Sequence, residues 1–149
     1  MKKTIILTVI VCIVCSCGHP TIKTKEEAVK FLESHKFYDN GAHVYGQGSG
    51  PGLKTGFGIT FNGGNAVING EALPYTIEEL KRSGMFSGSG FHIKFCGSQK
   101  YAYGECIDCY LSGGMNDDGS KSKTGPSIQV DGSYIKAFFS YTGDGITNK

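Results

Sequence analysis

Two hydrophobic periods divide the chain. Between Ala28 and Lys36 the apolar residues recur at helical spacing, with Ala28, Phe31, Leu32 and His35 on one face and Lys30, Glu33 and Lys36 elsewhere. Such a stripe predicts an amphipathic helix that must pack on something. Thr24-Lys25-Glu26-Glu27 opens it as a capping box, the threonine hydroxyl accepting from the amide three residues on while Glu27 reaches back. The helix is expected to end near Lys36, with Asp39-Asn40-Gly41 as a turn. From Phe57 the period becomes two. Phe57, Ile59 and Phe61 alternate with Gly58, Thr60 and Asn62, and Asn62-Gly63-Gly64-Asn65 turns the chain into Ala66 to Gly70. A two-residue Gly63-Gly64 loop sets Phe61 opposite Ala66 and Ile59 opposite Ile68, which gathers the apolar side chains on one face.

Further on, Phe91, Ile93 and Phe95 alternate with His92 and Lys94, and a partner strand is expected from about Tyr103 to Leu111. Ile128 to Val130 and Ser133 to Tyr141 form a last hairpin around Asp131-Gly132, with Ile135, Ala137, Phe139 and Tyr141 on one face. Between these runs a second capping box, Thr76-Ile77-Glu78-Glu79, follows Pro74 and predicts a short helix with Ile77 and Leu80 inward and Gly84 as its stop. Together the elements predict an α+β fold, an N-terminal amphipathic helix packed on a bent, barrel-like antiparallel sheet of about six strands, with one short extra helix. A single domain should span residues 24–142, ahead of a frayed tail at 143–149.

The first residues obey neither period. Lys2 and Lys3 lead into an apolar run from Ile5 to Val14 that closes on Val14-Cys15-Ser16-Cys17. The run is about ten residues where a spanning helix needs roughly twenty, so it reads as a cleaved export signal. Its end resembles the lipobox of bacterial lipoproteins, with Ser16 at −1 and Val14 at −3, whereas Cys12 and Cys15 each follow a bulky valine. The resemblance implies that residues 1–16 are removed, that Cys17 is acylated on its thiol and becomes the N-terminus, and that the protein partners a membrane through that lipid. By similarity to lipoprotein sorting in enteric bacteria, Gly18 in place of an aspartate implies the outer membrane. The absence of an acidic cluster from Gly18 to Lys25 implies the periplasmic face. Residues 17–23, with Pro20, are expected to form a lipidated tether reaching roughly 20 Å at about 3.3 Å per residue.

Loss of Lys2 and Lys3 with the leader changes the charge. Of 15 basic side chains two are removed, and the rest equal the 13 acidic ones. The mature chain therefore lacks the basic footprint of a nucleic-acid binder. The 23 glycines all lie beyond the leader, and with no tryptophan the aromatic mass is tyrosine and phenylalanine, a composition of tight turns between short aromatic strands.

Several chemistries are suggested by local letters and fail on spacing. The glycines from Gly46 to Gly56 lack the glycine directly before lysine that a phosphate loop needs, since Leu53 precedes Lys54-Thr55, and a strand rather than a helix follows. Asn116-Asp117-Asp118-Gly119 hints at a calcium loop, but Gly114 stands at the first ligand position and no glutamate closes the twelfth. No serine sits in a Gly-x-Ser-x-Gly frame. His35 reads as a packing residue and His43 and His92 as surface residues. Tyr38, Tyr45, Tyr101, Tyr103 and Tyr110 make either a recognition surface or cross-strand packing.

The mature chain keeps Cys96, Cys106 and Cys109 besides Cys17, and outside the cytoplasm cysteines tend towards disulfides. If Phe91, Ile93 and Phe95 face the core, Cys96 faces away; if Ile107 and Leu111 do, Cys109 joins them and Cys106 faces away. Cys96 and Cys106 then share one side of neighbouring strands and are expected to pair, leaving Cys109 a buried thiol. A slip of one residue or a bulge at Gly104 would exchange Cys106 and Cys109. A redox Cys106-x-x-Cys109 would need a helix N-terminus that the following strand pattern does not supply. A zinc site of His92, Cys96, Cys106 and Cys109 would need His92 and Cys96 within one coordination sphere, although four strand residues separate them by about 13 Å. The reading is a membrane-anchored, non-enzymatic binding module for an envelope protein or ligand, with no cofactor, metal or nucleic acid. The rival is an envelope thiol-redox or other enzyme using Cys106 and Cys109.

Overall fold

The Thr24 capping box forms as its letters predict. Thr24 Oγ1 accepts from the Glu27 amide at 3.2 Å and the Glu27 carboxylate accepts from the Thr24 amide at 3.3 Å, opening α1 (Lys25–Ser34), which buries Ala28, Phe31 and Leu32. The fold is that of a computed structural model describing residues 18–39, 56–80, 89–116, 118–143 and 145–149. The leader with Cys17, the glycine-dense segment with His43 and Tyr45, and the Gly84 stop lie outside the described residues.

Among the described residues there are nine strands: β1 (His35–Tyr38), β2 (Gly58–Asn62), β3 (Asn65–Ile68), β4 (Glu71–Leu80), β5 (Gly90–Cys96), β6 (Cys106–Ser112), β7 (Ser127–Asp131), β8 (Lys136–Ser140) and β9 (Ile146–Asn148). They form one antiparallel sheet in which β1 to β8 follow each other as neighbours and β9 adds to the far side of β1. The sheet curls until its ends approach. Phe139 of β8 lies 6.3 Å from Phe37 of β1, and the Tyr38 amide donates to the Gly145 carbonyl at 2.9 Å. The result is nearly closed and barrel-like, and mainly β.

Period-two alternation fills the interior. Phe37, Phe61, Phe91, Phe95 and Phe139 are all fully buried, each worth about 1.5–3 kcal/mol relative to an exposed ring. The first hairpin has the expected register, Ile59 opposite Ile68 and Phe61 opposite Ala66. Gly63 and Gly64 hold φ of 54° and 81°, the left-handed pair that a two-residue turn requires. In the last hairpin Asp131 pairs Lys136, so the turn is longer than Asp131-Gly132 alone, while Ile135, Ala137 and Phe139 are buried on one face.

Five expectations are corrected. The strands number nine rather than about six. Thr76–Glu79 is strand, because Tyr75, Ile77 and Glu79 pair with Phe95, Ile93 and Phe91, and the pairing offered by β5 outweighs a local cap. α1 stops at Ser34, short of Lys36, and His35, its C-cap, is already extended and opens β1. The tail is not frayed, since β9 pairs Ile146 with Phe37 and Asn148 with His35. β6 starts at Cys106, and the preceding Gln99–Ala102 is a helical turn, α2, capped by Ser98, whose hydroxyl accepts from the Tyr101 amide at 3.1 Å.

The strands run between two differently closed ends. At one, α1 lies against β1, β2 and β4, and Glu33 accepts from the Gly63 amide at 2.9 Å. At the other, α2 buries Tyr101 and Ala102 in the core, and Ser98 donates to the Glu71 carboxylate.

Candidate functional site

The cysteines lie at the α2 end. Cys96 stands directly opposite Cys106 in the β5–β6 register, with sulfurs 2.00 Å apart, a disulfide-bonding distance. Cys109, opposite Ile93, is a buried free thiol. Burial, with the Asp108 charge adding to it, holds that thiol far above the ordinary range, so it has no appreciable nucleophilic thiolate. Cys106 and Cys109 occupy strand positions of opposite parity and project to opposite faces, which separates the two halves of the Cys-x-x-Cys sequence.

His92 is likewise directed outward. Its Nε2 lies 2.7 Å from Asp108 Oδ1, and its ring stacks on Tyr110 at 5.0 Å and 15°. The cross-strand row through His92 continues to Glu78 on β4, Tyr110 on β6, Gln129 on β7 and Phe138 on β8. None of these supplies a hydroxymethyl or thiol nucleophile for His92 to activate. Beside the row, Lys136 Nζ meets Asp131 Oδ1 at 3.1 Å. Both contacts are partly exposed, and each is worth about 0–1 kcal/mol. Among the described residues, no group of three or more histidine, cysteine or acidic side chains is placed to hold a metal ion. The tyrosines divide: Tyr101 is buried, Tyr110 half-buried, and Tyr38 and Tyr103 are exposed. Tyr103 meets Tyr134 edge-on at 4.5 Å.

At the α1 end the expected tether is not a stalk. Ile22 is 2% exposed and belongs to the core. Its amide donates to the Gly113 carbonyl at 2.9 Å, the Ser89 hydroxyl donates to its carbonyl, and Gly113 in turn donates to the Ser89 carbonyl at 2.8 Å. A Cβ on Gly113 would lie 2.1 Å from the Ile22 carbonyl oxygen, so only glycine admits the segment there. Upstream, His19 meets Tyr141 edge-on at 5.7 Å. The sequence offered one signal for this docking: Ile22 is the only large apolar residue between Gly18 and Lys25.

The docked segment and α1 flank an open groove of about 620 Å³. Gly18 to Ile22 form one wall and Glu27, Lys30, Phe31, Ser34 and His35 the other, with Tyr141, Lys121 and Asn148 completing it. Glu27 is already engaged, its carboxylate accepting from the Lys23 and Thr24 amides. His35 is 8% exposed. Its Nδ1–H can donate to the Phe31 carbonyl at 2.8 Å, with the Ser34 hydroxyl 2.9 Å away. Sequence reasoning treated His35 as packing only and did not single out His19, Lys30 or Lys121, because residues from both termini and a distant loop meet only in the fold.

No protein-family model, curated protein or solved structure matches the chain. The groove offers lysine ammonium groups and an aromatic wall.

Proposed function

We propose that the chain is an exported lipoprotein, acylated on Cys17, whose domain is a non-enzymatic binding module of the cell envelope. The observation that carries this reading is the lipobox-like Val14-Cys15-Ser16-Cys17 directly before a segment that packs onto the domain from His19 onward. An acyl group on Cys17 would hold the α1 end at the bilayer rather than at the end of a free spacer. The cysteine pair fits an oxidising compartment, where a Cys96–Cys106 disulfide would close the α2 loop. The bilayer is the outer membrane, and the domain faces the periplasm.

The reading is tested by the Cys17→Ser variant, which should accumulate as unacylated precursor and fail to incorporate labelled palmitate. Unchanged processing and labelling would refute it. Capture by the mature domain of a specific envelope component, lost on mutation of the groove, is the expected result for a binding module. Turnover of a dithiol substrate by the purified domain would instead favour the enzyme.

A further inference from the structure

We infer that the groove beside α1 is a headgroup site for an anionic phospholipid of the membrane in which the chain is anchored. The inference rests on the lipoprotein reading for the source of the ligand, and on three observations for its chemistry. First, Gly18, the residue after Cys17, itself lines the groove. An acylated Cys17 would place the groove within one residue of the bilayer surface, where phosphates are the abundant anions.

Second, the lining is unbalanced in charge. Lys30 and Lys121 reach it from α1 and from the loop after β6, and His19 and His35 add ring nitrogens. Among the described lining residues the one carboxylate, Glu27, is held by the two backbone amides of Lys23 and Thr24. A phosphate has acceptor oxygens only, and ammonium groups meet it as point charges. Third, the wall behind these cations is apolar and aromatic. Phe31 and His35 lie 4.2 Å apart, and Tyr141 packs on both, with ring centroids at 6.3 and 5.9 Å. Glycerol carbons of a headgroup find cover there that inorganic phosphate does not use. A headgroup bound here touches both α1 and the Gly18–Ile22 wall, so occupancy favours the docked state of that segment and fixes which end of the barrel faces the lipid.

The test uses the non-acylated chain from Gly18 to Lys149, which retains every element described above, so that anchoring through Cys17 plays no part in the readout. Cosedimentation with phosphatidylglycerol vesicles at 0.1 M salt should exceed that with phosphatidylcholine vesicles. The double variant Lys30→Ala/Lys121→Ala should bind the anionic vesicles about 10- to 30-fold more weakly. The control Lys94→Ala/Lys136→Ala removes two cations from the outer sheet face and should change little. Melting curves establish that both variants fold. Equal binding to the two vesicle types, or equal loss in the two variants, would overturn the inference, the second pointing to diffuse charge. Displacement by millimolar inorganic phosphate at constant ionic strength would also overturn it, assigning the site to the free ion. Failure of the lipoprotein reading would appear separately, in the Cys17→Ser processing experiment.

Discussion

The two ends of the barrel are closed in contrasting ways. At the α2 end a helical turn of four residues, Gln99–Ala102, carries Tyr101 and Ala102 into the core, and the chain entering and leaving it is brought together at Cys96 and Cys106, ten residues apart in sequence. Closure there is local: one short loop, one cap at Ser98, one cysteine pair. At the α1 end closure is non-local. Ile22, α1, Ser89, Gly113 and Tyr141 come from separate parts of the chain, and what they leave between them is a groove lined by both lysines and aromatic rings. A local closure needs little beyond itself and is suited to a structural role, whereas an end assembled from distant segments can respond when one of them is pulled or bound.

The largest effect expected from this contrast is at the α1 end. Leu32, fully buried from α1, should cost about 2–4 kcal/mol on truncation to alanine, measured by denaturant unfolding. A loss under about 0.5 kcal/mol would mean that α1 does not close the barrel. At the other end, Cys96→Ser/Cys106→Ser should cost about 2–3 kcal/mol by the chain-entropy relation for so short a loop. Hydrogen exchange should quicken more from Gln99 to Gly104 than in α1, because local opening of the loop adds to the global loss. Peptide mapping without reduction should yield the Cys96–Cys106 pair, and a Cys96–Cys109 peptide would show that the strand phase is different. Gly113→Ala should release the Ile22 segment through its clash with the Ile22 carbonyl, costing about 2 kcal/mol for the exposed isoleucine. The Ile22 amide should then exchange freely while α2 keeps its protection.

The smallest effect per step is alkaline. Cys109 titrates in the fold above its ordinary 9.0 because burial disfavours the thiolate. The unfolded chain therefore releases this proton first. Stability is fully present below about pH 9 and falls above it by about 1.4 kcal/mol per pH unit. Cys109→Ala should move the onset about one unit higher, where Tyr75 and Tyr110, both raised from 10.0 mainly by burial, begin to contribute. An unchanged onset in that variant would contradict a buried, protonated thiol.

How much of this was legible in the sequence is clearest in two segments that share the letters Thr-x-Glu-Glu. Thr24–Glu27 is followed by Ala28, Phe31 and Leu32 at helical spacing, and the box caps a helix. Thr76–Glu79 sits among Leu73, Tyr75 and Ile77 at a spacing of two, and it is strand. The capping letters are the same; the apolar period around them decides, because burying that face outweighs one cap. The hairpin at Gly63-Gly64 was legible because turn and alternation agree. β9 was not, because three residues with a single apolar member, Ile146, carry no period of their own and are strand only because β1 offers an edge. α2 hid in Ser98 to Ala102, too short for a stripe. The cysteine placement was legible, since parity on two strands suffices to set Cys96 and Cys106 on one side. The groove was not, because no local pattern relates His19 to Lys121.

The central claim is that the α1 end, and not the α2 end, lies at the bilayer. Amide signals of the acylated chain in phosphatidylcholine nanodiscs carrying headgroup-nitroxide lipid test it most directly. Relaxation should remove intensity from Lys30 to Ser34 and from Lys121 to Thr124 while Lys100 to Gly104 keep theirs. Equal attenuation at both ends, or none at either, would mean that residues 18–23 act as a free spacer and would contradict the account.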